Sequence, residues 1–171
     1  MTRFGQLALL VLLACTTAAA EEGSESERYS LKKDVDFSSL YHWGSGADAE
    51  GALPFDKPYH QLTKNQQSRF KLFYVELGEN DEPPFPLQGL GAIYRPVAKG
   101  QQKFLVTGDF RADAEIDKEG KVSAVAVLQS PSEQVTKFMA NVLLLTEFKP
   151  ALCQGQPCSM GFPVKVMFKV E

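Results

Sequence analysis

The sequence predicts an α+β protein organised around its C-terminal part, residues 101–171, which reads as strand, strand, helix, strand. Three observations carry this. Phe104, Val106, Gly108, Phe110, Ala112, Ala114 and Ile116 share one parity, while Lys103, Thr107, Asp109, Arg111, Asp113 and Glu115 take the other, the period of a half-buried strand. A second apolar run, Val122 to Leu128, follows the turn residues Asp117-Lys118-Glu119-Gly120. A helix start at Ser130-Pro131-Ser132-Glu133 then leads, past Phe148-Lys149-Pro150-Ala151, to a final alternating run from Phe162 to Val170.

The N-terminus reads as an address. Arg3 is a small positive n-region, Leu7 to Leu13 an apolar h-region, and Ala18-Ala19-Ala20 a cleavage site. Residues 1–20 therefore predict a signal peptide and a periplasmic, exported protein. Leu12-Leu13-Ala14-Cys15 also resembles a lipobox, so Cys15 is a candidate lipidation site and a lipoprotein anchored to the membrane is the alternative. Residues 21–57, rich in Glu, Ser, Gly, Ala and Asp, predict an acidic flexible segment. Within it, Leu31 to Trp43 reads as an arm able to dock on the domain, with Trp43 and His42 as a surface aromatic pair.

Order is expected from Pro58, opening a helical region over 58–100. Thr63 with Gln66 is a capping box, and Phe70, Phe73, Tyr74 and Leu77 fall on one helical stripe that Gly78 ends. Asp81-Glu82-Pro83-Pro84-Phe85-Pro86 predicts a stiff extended connector with solvated acids. Leu87, Leu90, Ile93, Tyr94 and Val97 suggest a second short helix, strained by Pro96 and closed by Lys99-Gly100.

In the C-terminal part, strand one covers about 103–116, and Gly108 marks a bulge or a close approach by another backbone. Gly120 occupies the left-handed slot of a hairpin turn, and strand two runs over about 121–129. Ser130 is the expected N-cap, with Pro131 at N1 and Glu133 at N3. Val135, Phe138, Met139, Val142 and Leu143 form the buried stripe, which Leu144 and Leu145 widen. The last strand puts Phe162, Val164, Val166, Phe168 and Val170 on one face, and Lys165, Met167 and Lys169 on the other.

The chain has 171 residues with 44% hydrophobic and 23% charged side chains, an ordinary globular composition. Its 18 basic and 21 acidic residues leave a net charge of -3. The basic residues are scattered, which argues against a nucleic-acid face. Cys153 and Cys158 flank the turn-prone Gln154-Gly155-Gln156-Pro157 and are an expected disulfide in an oxidising compartment. With His42 and His60 the only histidines, no metal site, no cofactor and no small-molecule substrate are expected. No nucleophile elbow, phosphate loop or zinc-protease motif is present, so the chain reads as non-enzymatic. Were it an enzyme, Asp81, Glu82, His60 and Tyr94 would be the groups to converge.

The C-terminal stretch is similar to the C-terminal domain of the TonB family of bacterial energy transducers. The residues that carry the resemblance are Asp117-Lys118-Glu119-Gly120-Lys121-Val122, Val125-Ala126-Val127-Leu128-Gln129-Ser130, Phe148-Lys149-Pro150-Ala151, Gly155-Gln156-Pro157, and Pro163 to Val170. The resemblance implies a three-stranded antiparallel sheet packed on a helix, whose final strand is an edge that receives a peptide by strand addition. Carried here, the partner-binding edge is Phe162, Val164, Lys165, Val166, Met167, Phe168 and Lys169, with the two lysines either meeting an acidic partner or protecting the edge. The chain departs from a transducer in lacking a His-bearing anchor and a long Pro-rich spacer. The expected function is thus an exported cell-envelope protein that binds a protein or peptide. A TonB-type transducer or accessory of outer-membrane transport is one alternative, and a structural lipoprotein with no exposed docking edge is another.

Overall fold

The computed structural model describes residues 53–170. The signal peptide, Cys15, the 31–43 arm, Trp43 and His42 lie outside the described residues. The fold is α+β. In chain order the helices are α1 (Lys64–Lys71), α2 (Gly91–Gln101) and α3 (Glu133–Leu144). The strands are β1 (Phe85–Pro86), β2 (Gly108–Ile116), β3 (Val122–Gln129), β4 (Phe148–Lys149), β5 (Ala151–Cys153), β6 (Gln156–Cys158) and β7 (Met160–Phe168). The main sheet is antiparallel with strand order β3-β2-β7, and the pairs β1-β4 and β5-β6 form two small antiparallel ribbons.

Packed order starts earlier than Pro58. Leu53 is buried, the Phe55 ring meets Tyr94 edge-on at 5.8 Å, and the Phe55 carbonyl accepts from Gly91 N at 2.6 Å. Composition hides this, because Leu53 and Phe55 are isolated among turn-forming residues. The capping box of α1 is closed in both directions, Gln66 N to Thr63 Oγ1 at 3.2 Å and Thr63 N to Gln66 Oε1 at 2.9 Å. The helix nevertheless ends at Lys71, before the expected Gly78. Phe73 N and Tyr74 N reach back only three residues, to Phe70 and Lys71, and Glu76 takes a left-handed conformation, φ 51°. Phe70, Phe73 and Tyr74 are all buried, so core demand for these rings, not helical period, explains the stripe.

Helix α2 runs through Pro96, which is exposed and whose missing N–H leaves the Ala92 carbonyl without its helical donor. Leu87 lies outside the helix and is exposed. Gly100 does not close α2. A Cβ there would come within 2.5 Å of the Phe138 ring of α3, so the glycine is the contact point between these two helices.

Strand β2 starts only at Gly108, since Lys103 and Phe104 still bond back to the end of α2. Phe110, Ala112, Ala114 and Ile116 are buried, as the alternation requires. Gly108 is no bulge. Its φ is 147°, and a Cβ would lie 3.1 Å from Pro131. The register breaks fall further along, where Leu128 and Ser123 of β3 are left without partners on β2. In the β2–β3 turn Gly120 has φ 82°, and Asp117 Oδ1 accepts from Glu119 N and Lys121 N.

The N-cap of α3 is Ser132, not Ser130: its hydroxyl accepts from Val135 N at 3.2 Å. Pro131 is displaced one step outside the helix, where it seats against Gly108. Ser132→Ala is expected to cost about 1 kcal/mol, with Ser130→Ala costing less, as measured by urea denaturation. Val135, Met139 and Leu143 are fully buried, with Phe138 and Val142 packed beside them. Leu144 and Leu145 do not extend the stripe; they are exposed, Leu145 at 84%, because the chain turns away at Thr146 towards β4.

A single core joins the helical and sheet parts. Phe162 of β7 meets Phe70 of α1, Phe85 of β1 and Phe148 of β4, with ring centroids 6.0, 6.5 and 5.1 Å away. Phe168, at the other end of β7, meets Phe104, which in turn meets Phe138.

Candidate functional site

The main sheet has two edges, β7 and β3, and the strand-addition expectation concerns β7. On β7, Phe162, Val164, Val166 and Phe168 are buried and belong to the core. Of the seven residues expected at a partner edge, only Lys165, Met167 and Lys169 point their side chains away from it. Lys165 is half-buried; Met167 and Lys169 are exposed. Val170, expected on the core face, is exposed, because the strand ends at Phe168.

Proline sets the hydrogen-bond phase of this sheet. Pro163 faces Asp113 of β2 and has no N–H, so this pair is a non-bonded one in the antiparallel alternation. Gly161, Pro163, Lys165 and Met167 thus turn their backbone groups away from β2. Two contacts fit this phase. The Tyr74 hydroxyl donates to the Gly161 carbonyl at 3.0 Å, and Val170 N turns inward to Thr107 Oγ1. The first half of β7 is therefore blunted, by a proline and by Tyr74, and any added strand is confined to the part around Met167.

The same phase makes Asp113 bond to Ala126 of β3, which turns the N–H and C=O of Val125 and Val127 outward. Ser123 Oγ donates to the Glu115 carbonyl at 3.2 Å, as a β2 carbonyl on that side allows. This second edge was not among the expected site residues. The signal for it is the sequence Val122-Ser-Ala-Val-Ala-Val-Leu-Gln129, which holds neither charge nor proline, unlike β7.

Between the edges, Asp113 lies in a row with Pro163 on one side and Ala126 on the other. Burial raises its pKa, and Arg111 nearby partly opposes the rise. A carboxyl raised in the folded state is protonated there while still ionised in the unfolded chain. Stability therefore falls as pH rises from the ordinary carboxylate range through the raised value. Asp113→Asn is expected to remove that fall, seen as a flatter melting-temperature profile above the ordinary carboxylate range of about pH 4.

The acids expected in solvent are instead structural. Asp81 is 3% exposed. Its Oδ2 accepts from Gly78 N at 2.8 Å and its Oδ1 from Gln154 N at 2.6 Å. Glu82 exchanges two backbone hydrogen bonds with Leu152, and its carboxylate is 3.1 Å from Lys149 Nζ. That ammonium also donates to the Pro150 carbonyl and lies 5.1 Å from the centre of the Tyr59 ring. Burial lowers the Lys149 pKa, with Glu82 opposing, and burial, then Glu82, raises that of Tyr59. These groups fasten the Pro-rich connector to β4 and β5. Tyr94 packs on Phe55 and His60 is exposed, so the four residues an enzyme would gather serve separate structural roles or face solvent.

Cys153 and Cys158 form the disulfide, with Cα atoms 5.8 Å apart. It closes a hairpin whose turn residues Gln154 and Gly155 both have positive φ, 51° and 79°, a type I′ geometry. Replacing both cysteines by serine is expected to cost about 2 kcal/mol, the small loop-entropy value for so short a ring, measured as a lowered urea midpoint. No family model matches the chain, and no curated protein matches it.

Proposed function

We propose that the chain is an exported, non-enzymatic module of a bacterial cell envelope that binds a protein or peptide by strand addition at β7. The observation that carries this reading is the position of β7 at the edge of a three-stranded antiparallel sheet. Further support comes from the three-stranded antiparallel sheet with its last strand at an edge, as the resemblance to TonB C-terminal domains implies. Met167 and Lys169 offer an apolar and a basic contact beside the added strand, and the backbone supplies affinity. The disulfide fits an oxidising compartment.

The test places a photo-crosslinking residue at Met167 in intact cells. A discrete protein adduct, lost when the same residue is moved to the exposed Lys118, is expected. Equal adducts at both positions, or none, overturn the β7 reading. Mass spectrometry of the mature N-terminus tests export: Glu21 or an acylated Cys15 supports it, and a retained Met1 overturns it.

A further inference from the structure

We propose that a second copy of this chain pairs with the β3 edge, antiparallel and about a twofold axis at Ala126, to make one continuous six-stranded sheet. This interface is separate from the β7 edge and goes beyond the function proposed above.

The inference starts from what β3 lacks. Solitary edge strands are ordinarily blunted by lysine, proline or a covering segment. The sheet uses such devices on β7, where Pro163 and the Tyr74 hydroxyl stand. On β3, among the described residues, none of these stands between Val122 and Gln129. Ala124, Ala126, Val127 and Leu128 are exposed, Leu128 at 62%. The two register breaks take Ser123 and Leu128 out of the ladder and leave Ala124 to Val127 as a regular segment.

That segment fits its own copy. Val125 and Val127 are the residues whose N–H and C=O face outward, so a twofold at Ala126 sets each Val125 against the partner copy's Val127, with reciprocal hydrogen bonds on both sides of the axis. Ala126 then meets itself in a non-bonded pair, the close kind, with Cα atoms about 4.5 Å apart. An alanine methyl suits that spacing, whereas a charged side chain would oppose its like. Leu128 falls opposite the other copy's Ala124. The segment carries no charge by which an acidic or basic partner would recognise it, so self-pairing meets no like-charge repulsion. An isologous contact of this kind closes after two copies and does not run on as a fibre.

Sedimentation of the purified mature protein over about 1–100 µM is the test, because mass action must populate the dimer as concentration rises. The expected result is a doubling of mass that Ala126→Glu abolishes, while its melting curve matches that of the unaltered chain at the dilute, monomeric end of the range. A monomer throughout the range overturns the proposal, as does an Ala126→Glu variant that still dimerises. Hydrogen exchange on the unaltered chain decides the matter without a variant. The Val125 and Val127 amides should exchange more slowly in the dimer than in the monomer; equal rates in the two forms overturn the β3 pairing. A protein adduct at Met167 that survives Ala126→Glu separates this interface from the β7 reading.

Discussion

Phe162→Ala is expected to destabilise the fold by about 3–5 kcal/mol, the usual cost of deleting a buried aromatic ring. Phe162 is fully buried and touches rings from α1, β1 and β4, three elements that do not belong to the main sheet. Loss of the ring therefore leaves a cavity where the helical region meets the sheet, and backbone ladders cannot close it. Equilibrium urea denaturation should show a lowered midpoint with an unchanged slope. Met167→Ala, on the opposite face and exposed, should leave the midpoint within about 0.5 kcal/mol of wild type. A Phe162→Ala protein as stable as wild type would mean that the rings do not form the joint core.

Asp81→Ala is expected to cost about 2–4 kcal/mol, because its buried carboxylate accepts two charge-assisted hydrogen bonds, from Gly78 N and Gln154 N. Asp81→Asn should also destabilise, since its amide oxygen can replace only one of the two acceptor oxygens and its NH2 faces the other donor. The local readout is hydrogen exchange at Gly78 and Gln154, which should quicken in both variants. Unchanged exchange at Gln154 would show that Asp81 does not hold the disulfide hairpin. These donors are 76 positions apart in the chain, so the variant reports the docking of the β5–β6 hairpin on the connector rather than any local turn.

The legible parts of the fold were those with a strict period or a strong local cap. Alternation in β2 and β7 named their buried faces correctly from Phe110 to Ile116 and from Phe162 to Phe168. The Thr63 box, the Gly120 turn and the Cys153–Cys158 pair were readable because each rests on residues a few positions apart. Boundaries were less so. The rings at 70–74 imitate a helical stripe beyond Lys71, and two serines around Pro131 compete for one cap. The site was half legible. The last strand is an edge of the sheet, but most of its expected contact residues serve the core, and the blunting by Tyr74 depends on a tertiary contact.

By itself, the sequence determined the α+β class, the strand–strand–helix–strand order, the buried parity of β2 and β7 and the cysteine pairing. Local periodicity and short-range chemistry suffice for these. Only the tertiary structure decided that Asp81 and Glu82 are fasteners, that Gly100 and Gly108 admit Phe138 and Pro131, and that β3 is the uncharged, unblunted edge. Each of these depends on which distant segment arrives next to a residue, and no local pattern encodes that neighbour.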